Sequence, residues 1–325
     1  MAAFDSTVTS EQVVAAFASQ VKDRNFVITG AGQPSIGSSI AVELAKASPA
    51  HILIASRTAA NVIPVLSAIH ETDPSVQTTF VQVDLSDHDS VRRAAREILE
   101  ATGSKIDVLI NSAGNMALKE YTLDKQGIEL QFSVNHVGHF LLTNLLTPAL
   151  LAGARVVNLT SAGYQISPVR YDDPFFSGGK AYDPWSGYGQ AKTAQILFAY
   201  GLTERLKHRG VVALACHPGA NLDTRLGSHL TMDDYADIIP ITKRNTGNDF
   251  AFTVGDEPRF KTYEQIGATP LIAALDPDLV PHALTYLQNG RIMQPLAEHA
   301  YGTAHVEKCW RLSEELVGQT FEYHY

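Results

Sequence analysis

The chain has 325 residues, 45% hydrophobic and 18% charged, an ordinary composition for a globular chain with enough apolar material for a substantial core. Its 34 acidic against 25 basic side chains leave a formal net charge of −9, which argues against a nucleic-acid or anionic-membrane surface. Cys216 and Cys309 sit in apolar or helical surroundings without a second Cys or His at metal spacing, so free reduced thiols are expected.

No basic stretch followed by an apolar core opens the chain, and Phe140 to Ala154 is broken by Thr143, Asn144, Thr147 and Pro148. Neither a secretory signal nor a membrane span is expected, and the cytoplasm is the expected compartment. Without repeats or linker-like shifts, residues 1–325 read as one continuous domain with a helical extension over 1–24. Ser10 is expected to cap a helix from Glu11 to Val21 that carries a Val13, Val14, Phe17, Val21 stripe. The apolar run Asn25 to Thr29 is a first strand, Ile36 to Ala47 a helix, and between them lies Gly30-Ala31-Gly32-Gln33-Pro34-Ser35-Ile36-Gly37. Strand, glycine turn and helix aim free backbone N–H groups at a pyrophosphate; a plain tight turn is the alternative. The second strand, His51 to Arg57, ends about 20 residues beyond the turn, where a dinucleotide site meets the adenosine ribose. Ser56 and Arg57 stand there in place of an acid, and a guanidinium suits a 2′-phosphate, so NADP(H) is favoured over NAD(H).

A helix from Ala59 to His70 leads to the strand Thr79 to Val83 and Asp84-Leu85-Ser86, where Asp84 either accepts from an adenine amino group or caps the helix starting at His88. The strand Ile106 to Ile110 ends in Asn111-Ser112-Ala113-Gly114, small residues that let backbone approach a cofactor or turn tightly. Repeated strand–helix units with near-continuous apolar strands predict a doubly wound parallel sheet of the Rossmann type, with ligand at the strands' carboxyl ends. A helical pattern spans Asp124 to Leu151 and contains Asn135, whose amide needs partners. His136 and His139, three apart within it, lack a third ligand nearby, and no metal is expected. The strand Ala154 to Leu159 delivers Thr160 and Ser161 to the ligand end. After an irregular segment from Gln165 to Trp185, Tyr188 and Lys192 lie at i and i+4 on a helix supported by Ile196, Leu197, Tyr200 and Leu202. The ammonium favours the phenolate, so the Tyr188 pKa is expected to fall toward neutrality and equip it as a general acid/base. Tyr and Lys at this spacing also occur on solvated helix faces, so the upstream context gives the pair its meaning.

Thr29-Gly30 with Ile36-Gly37, Asn111 to Gly114, Asn135, Ser161, Tyr188-x-x-x-Lys192 and His217-Pro218-Gly219 together resemble the short-chain dehydrogenase/reductase family. Ser167 to Asp173, Asp183-Pro184-Trp185 and Tyr188 to Ala194 are similar to its retinol-dehydrogenase-like branch and fungal relatives. The resemblance implies that Tyr188 exchanges a proton with the substrate oxygen, Ser161 polarises the carbonyl (Thr160 being the runner-up), Lys192 binds the nicotinamide ribose, and Asn135 holds a relay water. It further implies cofactor contacts at Gly30, Gly32, Ser35, Ile36, Gly37, Ser56, Arg57, Asp84, Leu85, Asn111, Ala113, Gly114, Tyr188, Lys192, Pro218, Gly219 and Thr224. Two departures stand out. Ser35 replaces a glycine in a turn one residue longer, so its side chain is expected to push a pyrophosphate outward unless the longer loop compensates; the run from Pro218 to Thr224 is also one residue longer than usual.

Beyond the strand Val211 to Cys216, residues 221–261 are too long for a connection and read as a substrate lid carrying Leu222, Leu226, Leu230, Met232, Tyr235, Ile238, Ile239, Phe250 and Phe252, unless these simply pack on one another. A helix from Thr262 to Leu275, an edge strand from Leu284 to Leu287 and a helix from His305 to Val317 complete the chain. The expected function is an NADPH-dependent carbonyl reductase, or alcohol dehydrogenase in reverse, acting on a small to medium apolar substrate such as a polyketide-like ketone of fungal secondary metabolism. An NADP(H)-binding sensor without hydride chemistry and a reductase of carbon–carbon double bonds are the alternatives. The helices around Asn135 and Tyr188 resemble those the family uses for homodimers or tetramers.

Overall fold

The computed structural model describes residues 4–251, 260–282 and 286–323. Among the described residues, eight strands form one sheet in the order β3-β2-β1-β4-β5-β6-β7-β8. They are β1 (Asn25–Thr29), β2 (His51–Ser56), β3 (Gln77–Gln82), β4 (Ile106–Asn111), β5 (Leu150–Leu159), β6 (Val212–His217), β7 (Tyr286–Gln288) and β8 (Arg291–Met293). All pair in parallel except β8, which runs antiparallel along β7. Burial on both faces explains why the central strands are near-continuously apolar, while the partly buried β3 is more polar. Val27, Leu53, Leu109 and Val156 face one core, while Ile28, Ile54, Ile110 and Val157 face the other.

The helices are α1 (Ser10–Ala16), α2 (Ile36–Ala45), α3 (Ala59–Thr72), α4 (His88–Ala101), α5 (Leu130–Phe132), α6 (Gly138–Leu146), α7 (Pro184–Leu206), α8 (Met232–Ala236), α9 (Ile238–Thr246), α10 (Ala268–Leu275) and α11 (Thr303–Val317). Residues of α1, α2, α3 and α10 build the core on one face, and α4, α6, α7 and α11 that on the other. The chain winds outward from β1 to β3 and then returns to β4 on the far side of β1. That reversal opens a crevice beyond the carboxyl ends of β1 and β4. Among the described residues no helix is long and apolar enough to cross a membrane.

Several boundaries differ from the sequence expectation. Thr9, not Ser10, caps α1 in a reciprocal box with Gln12, and the helix ends at Ala16 before a 3-10 turn. The pattern beginning at Asp124 turns helical only at Leu130, because Asp124 Oδ1 accepts from the N–H groups of Gln126 (2.8 Å) and Ile128 (2.9 Å) and closes a loop. Leu150 and Leu151, placed on that helix, open β5. Trp185 belongs to α7, which starts at Pro184 under an Asp183 cap accepting from Ser186 N at 2.8 Å. The helix expected from Thr262 starts at Ala268, and the sheet edge is β8 rather than the strand ending at Leu287. Leu284 and Phe252 fall outside the described residues.

Candidate active site

The glycine turn follows from sterics. Gly30 has φ +71°, and a Cβ there would lie 2.4 Å from Ala113 Cα, so the turn after β1 presses on the one after β4. Ser35 caps α2: its hydroxyl donates to Gly30 O at 3.0 Å and accepts from Ser38 N at 3.0 Å. The Ser35 side chain thus folds back into the turn, and as the cap of α2 it takes up one of the helix's first N–H groups, that of Ser38. Tyr263 clamps the same corner by donating to Ser35 O at 3.0 Å. A cleft of about 390 Å³ lined by Gln33, Pro34, Ala60, Asn61, Pro64 and Arg225 opens beside the turn. A Cβ on Gly32 would stand 3.0 Å from Asn61 Cβ.

Ser56 is half-buried at the end of β2, and Arg57 is exposed just beyond. Asp84 does not cap α4; Asp87 does, accepting from Asp89 N and Ser90 N. Asp84 Oδ1 instead accepts from Ser86 N at 2.9 Å. The Leu85 carbonyl packs so closely on Gly138 that a Cβ there would stand 2.3 Å from it. Asn111 turns its amide into the sheet, donating to Thr143 Oγ1 (3.0 Å) and Asn158 Oδ1 (2.8 Å), so only its backbone lies along the crevice with Ala113 and Gly114.

The other wall comes from β5 and α7. Thr160 Oγ1 donates to the Lys192 carbonyl at 2.8 Å and is committed to the helix backbone. Ser161 caps a 3-10 turn, accepting from Gly163 N at 3.1 Å, and its hydroxyl and the Tyr188 ring both lie against Gly163. A Cβ on Gly163 would lie 2.7 Å from the Tyr188 ring, so this turn can approach only as glycine. Lys192 Nζ stands 5.4 Å from the centre of that ring and donates to Leu159 O at 3.0 Å and Gln195 Oε1 at 2.9 Å.

Tyr188 does not have the depressed pKa expected from spacing. Burial pushes its phenol up to about 12, with the nearby Ser161 hydroxyl opposing the rise and Tyr235 adding to it. Burial likewise holds Lys192 down to about 7, so the cation that was to stabilise the phenolate is itself disfavoured. The cover is an apolar cluster of Ala117, Ile166, Trp185 and Ile238 around Tyr188, with Met116, Leu230, Tyr235, Ile241 and Phe250 packed against it.

Asn135 lies in a π-helical turn, Ser133–Val137, between α5 and α6. It is fully buried: Oδ1 accepts from Asn115 N at 3.0 Å and Nδ2 donates to Asn115 O at 3.1 Å. A Cβ on Gly114 would stand 2.6 Å from Asn135 Oδ1 and 3.9 Å from Lys192 Nζ, so bare backbone separates the two side chains. His136 bonds Ser313 Oγ at 2.7 Å and His139 bonds Thr29 Oγ1 at 2.8 Å, on different partners. Beyond β6, Gly219 has φ +107° and lies under the Lys261 side chain. Lys261 N donates to Ala220 O at 2.8 Å and Asn221 Nδ2 to Lys261 O at 2.9 Å, stitching the two ends of segment 221–261 together. Thr224 sits at the start of that segment, its N–H donating to Asn221 Oδ1 at 3.0 Å. Burial pushes both thiols up, and both are free.

The sequence reading missed Asn115, Gln195 and Trp185 as members of this constellation. Gln195, three residues after Lys192, was the legible signal, because i and i+3 share a face.

The family model for short chain dehydrogenase matches residues 24–234. The chain belongs to that family. Among curated relatives of this short-chain dehydrogenase, oxidoreductase fscI of Fusarium equiseti is 33% identical over 244 residues, covering 66% of this chain and 94% of the relative. Retinol dehydrogenase 12 of Mus musculus is 35% identical over 305 residues, covering 93% and 89% respectively. An uncharacterized protein from Mycobacterium paratuberculosis superposes with a TM-score of 0.65 at 29% identity, over 94% of this chain and 96% of the other. The dehydrogenase fold is shared with a metagenomic blue fluorescent protein in complex with NADPH, TM-score 0.62 at 20% identity, over 83% and 98%.

The residues fit a nicotinamide dinucleotide. The cradle between Gly30, Ala113 and Gly114 has no room for further side chains, and α2 offers its N-terminus beside it.

Proposed function

We propose that this dehydrogenase is an NADP(H)-dependent reductase of a carbonyl group, or oxidises the corresponding alcohol, on a small to medium apolar substrate of polyketide-like character. The observation that carries the reading is the Tyr188 phenol set beside Ser161 beneath an apolar cover, one helical turn from Lys192. When bound, the cofactor supplies a hydride to the carbonyl carbon. Ser161 holds the substrate oxygen, and Tyr188 gives its proton to that oxygen as charge develops there. A phenol raised to about 12 is a poor donor at neutral pH until a charge is brought beside it. Lys192 is the charge: its ammonium would hold the cofactor's ribose, and moved from Leu159 O and Gln195 toward Tyr188 it would lower the phenol's pKa. Asn135 anchors the wall opposite Lys192 and is the proposed holder of a relay water.

Arg57, exposed at the end of β2 with no carboxylate in place, supports NADP(H) as the cofactor. Segment 221–261 is proposed as the lid, because Leu230, Tyr235, Ile238, Ile241 and Phe250 from it complete the cover over Tyr188. The retinol dehydrogenase names among the relatives agree with an apolar alcohol or carbonyl compound. The test is Tyr188→Phe assayed over a panel of apolar ketones and aldehydes by nicotinamide absorbance. Turnover is expected to vanish while NADPH quenching of tryptophan fluorescence persists, and retained turnover rejects the role given to Tyr188.

A further inference from the structure

His139 lies in the first turn of α6, only 1% exposed, and bonds at both ring nitrogens. Nε2 is 2.8 Å from Thr29 Oγ1 at the end of β1, and Nδ1 is 2.9 Å from the carbonyl oxygen of Asn135 in the π turn. The Thr29 hydroxyl already accepts from Ser112 N at 3.0 Å and Ala113 N at 3.1 Å, just beyond β4. With its acceptor sites used, its own proton must go to His139 Nε2. At the other end a carbonyl can only accept, so Nδ1 must carry the hydrogen. Both ends therefore demand the same neutral tautomer, and an imidazolium would confront Thr29 with a third N–H. Two ionisable groups face the ring, His136 from the preceding turn and Lys192 from α7. Burial and Lys192 hold the His139 pKa down to about 4, against the opposing effect of its bond to Asn135.

We propose that His139 is a positioning residue, a neutral strut that joins the ends of β1 and β4 to the Asn135 carbonyl. It makes the cofactor-side turn and the wall opposite Lys192 one rigid unit before any ligand arrives. The π turn at Ser133–Val137 carries Asn135 between Asn115 and His139, so loss of the strut frees the turn that presents it. The inference rests on the reading of the site given above.

The experiment compares His139→Phe, which keeps a planar ring without polar atoms, with His139→Asn, which retains a donor toward Asn135. In the wild-type protein, long-range nitrogen–proton spectra of labelled histidine are expected to show an Nδ1–H tautomer that does not titrate between pH 5.5 and 8. A ring titrating in that window, or an Nε2–H tautomer, overturns the proposal. Hydrogen exchange in the cofactor-free protein, read at the Asn115 amide bonded to Asn135, is expected to quicken about tenfold in the Phe variant and less than about threefold in the Asn variant. Unchanged exchange in the Phe variant overturns it as well. With an active substrate in hand, the Phe variant is expected to lose about tenfold in kcat with its NADPH Kd held within about threefold, and the Asn variant to recover part of the loss. A faster exchange with unchanged kcat overturns the positioning role. If the wild type turns over nothing, the functional reading fails, yet the spectra and the exchange still decide the strut.

Discussion

The floor of the site and its rim are built on opposite terms. On the floor, Asn135 and Thr29 are fully buried and Tyr188 and Lys192 nearly so, and the polar groups of Asn135, Thr29 and Lys192 are held by named partners. On the rim, Arg57 and Arg225 are exposed, while Leu222 and Met232 expose 71% and 79% of their surface. The contrast teaches that the groups proposed for proton chemistry are held in advance, as they should be where reorganising buried dipoles during a reaction is costly. Those proposed to select the ligand are side chains free to adapt.

The largest expected break in this contrast is on the floor. Removing the Tyr188 hydroxyl by Tyr188→Phe should cost at least about a thousandfold in kcat, roughly 4 kcal/mol of transition-state stabilisation. The change is one oxygen, so stability and NADPH affinity should hardly move; equal losses in kcat and in melting temperature would mean that the phenol is structural. Next is Gly138→Ala, remote from any substrate. Its Cβ would lie 2.3 Å from the Leu85 carbonyl, so α6 and the turn after β3 cannot both stay in place. A stability loss of about 3 kcal/mol by urea denaturation is expected, and an unchanged midpoint would rule out the rigid contact.

At the boundary between floor and rim, Arg57→Asp should weaken NADPH binding by about a hundredfold and leave NADH binding no worse, as a guanidinium on a 2′-phosphate would dictate. Fluorescence titration with both cofactors reads this directly. Equal weakening of both would move the phosphate contact elsewhere, Arg225 beside the glycine turn being the next candidate.

Lys192→Met separates stability from function on the floor itself. Burial lowers the folded pKa of Lys192 to about 7 from the 10.5 of a solvated lysine. Between those values the unfolded chain holds the proton and the folded chain does not, so this group makes stability rise with pH through the window. Below it the burial penalty is complete, and above it the penalty is gone. Cofactor-free Lys192→Met should therefore be more stable than wild type by on the order of 2 kcal/mol at pH 6, with the advantage fading toward pH 10.5, while turnover is lost. A pH-independent difference in urea midpoint would show that the lysine is solvated.

How much of this was legible in the sequence depended on chain distance. The glycine turn, the apolar strands and the Tyr188, Lys192 pair lie within single elements, so periodicity alone placed them. The π turn was hidden, because one extra residue in a helix leaves the apolar pattern almost unchanged. The choice of Ser161 over Thr160 rested on the family resemblance alone, since it turns on which hydroxyl is committed to the helix backbone and which lies beside Tyr188. The direction of the Tyr188 pKa was read wrongly for a related reason. Charge spacing along one helix was visible, but the burial that outweighs it comes partly from Tyr235 and Ile238, about 50 residues later.

The smallest expected effect belongs to the outermost rim. Met232 begins α8, and its side chain is mostly in water, so Met232→Ser removes little buried area and should shift stability by no more than about 0.5 kcal/mol. Tyr235, three residues on, packs its ring 5.5 Å from Trp185, and Trp185 donates to Asp234 O at 2.7 Å, so α8 stays anchored without Met232. If segment 221–261 covers the substrate, an exposed apolar side chain on it is uncompensated until substrate arrives, and the serine variant should raise KM for an apolar ketone a few fold with kcat unchanged. Steady-state kinetics on two ketones differing only in alkyl length sharpen the point, because the loss should grow with the longer chain. An equal, small change on both would place Met232 outside the substrate's reach and confine the cover to the cluster already packed on Tyr188.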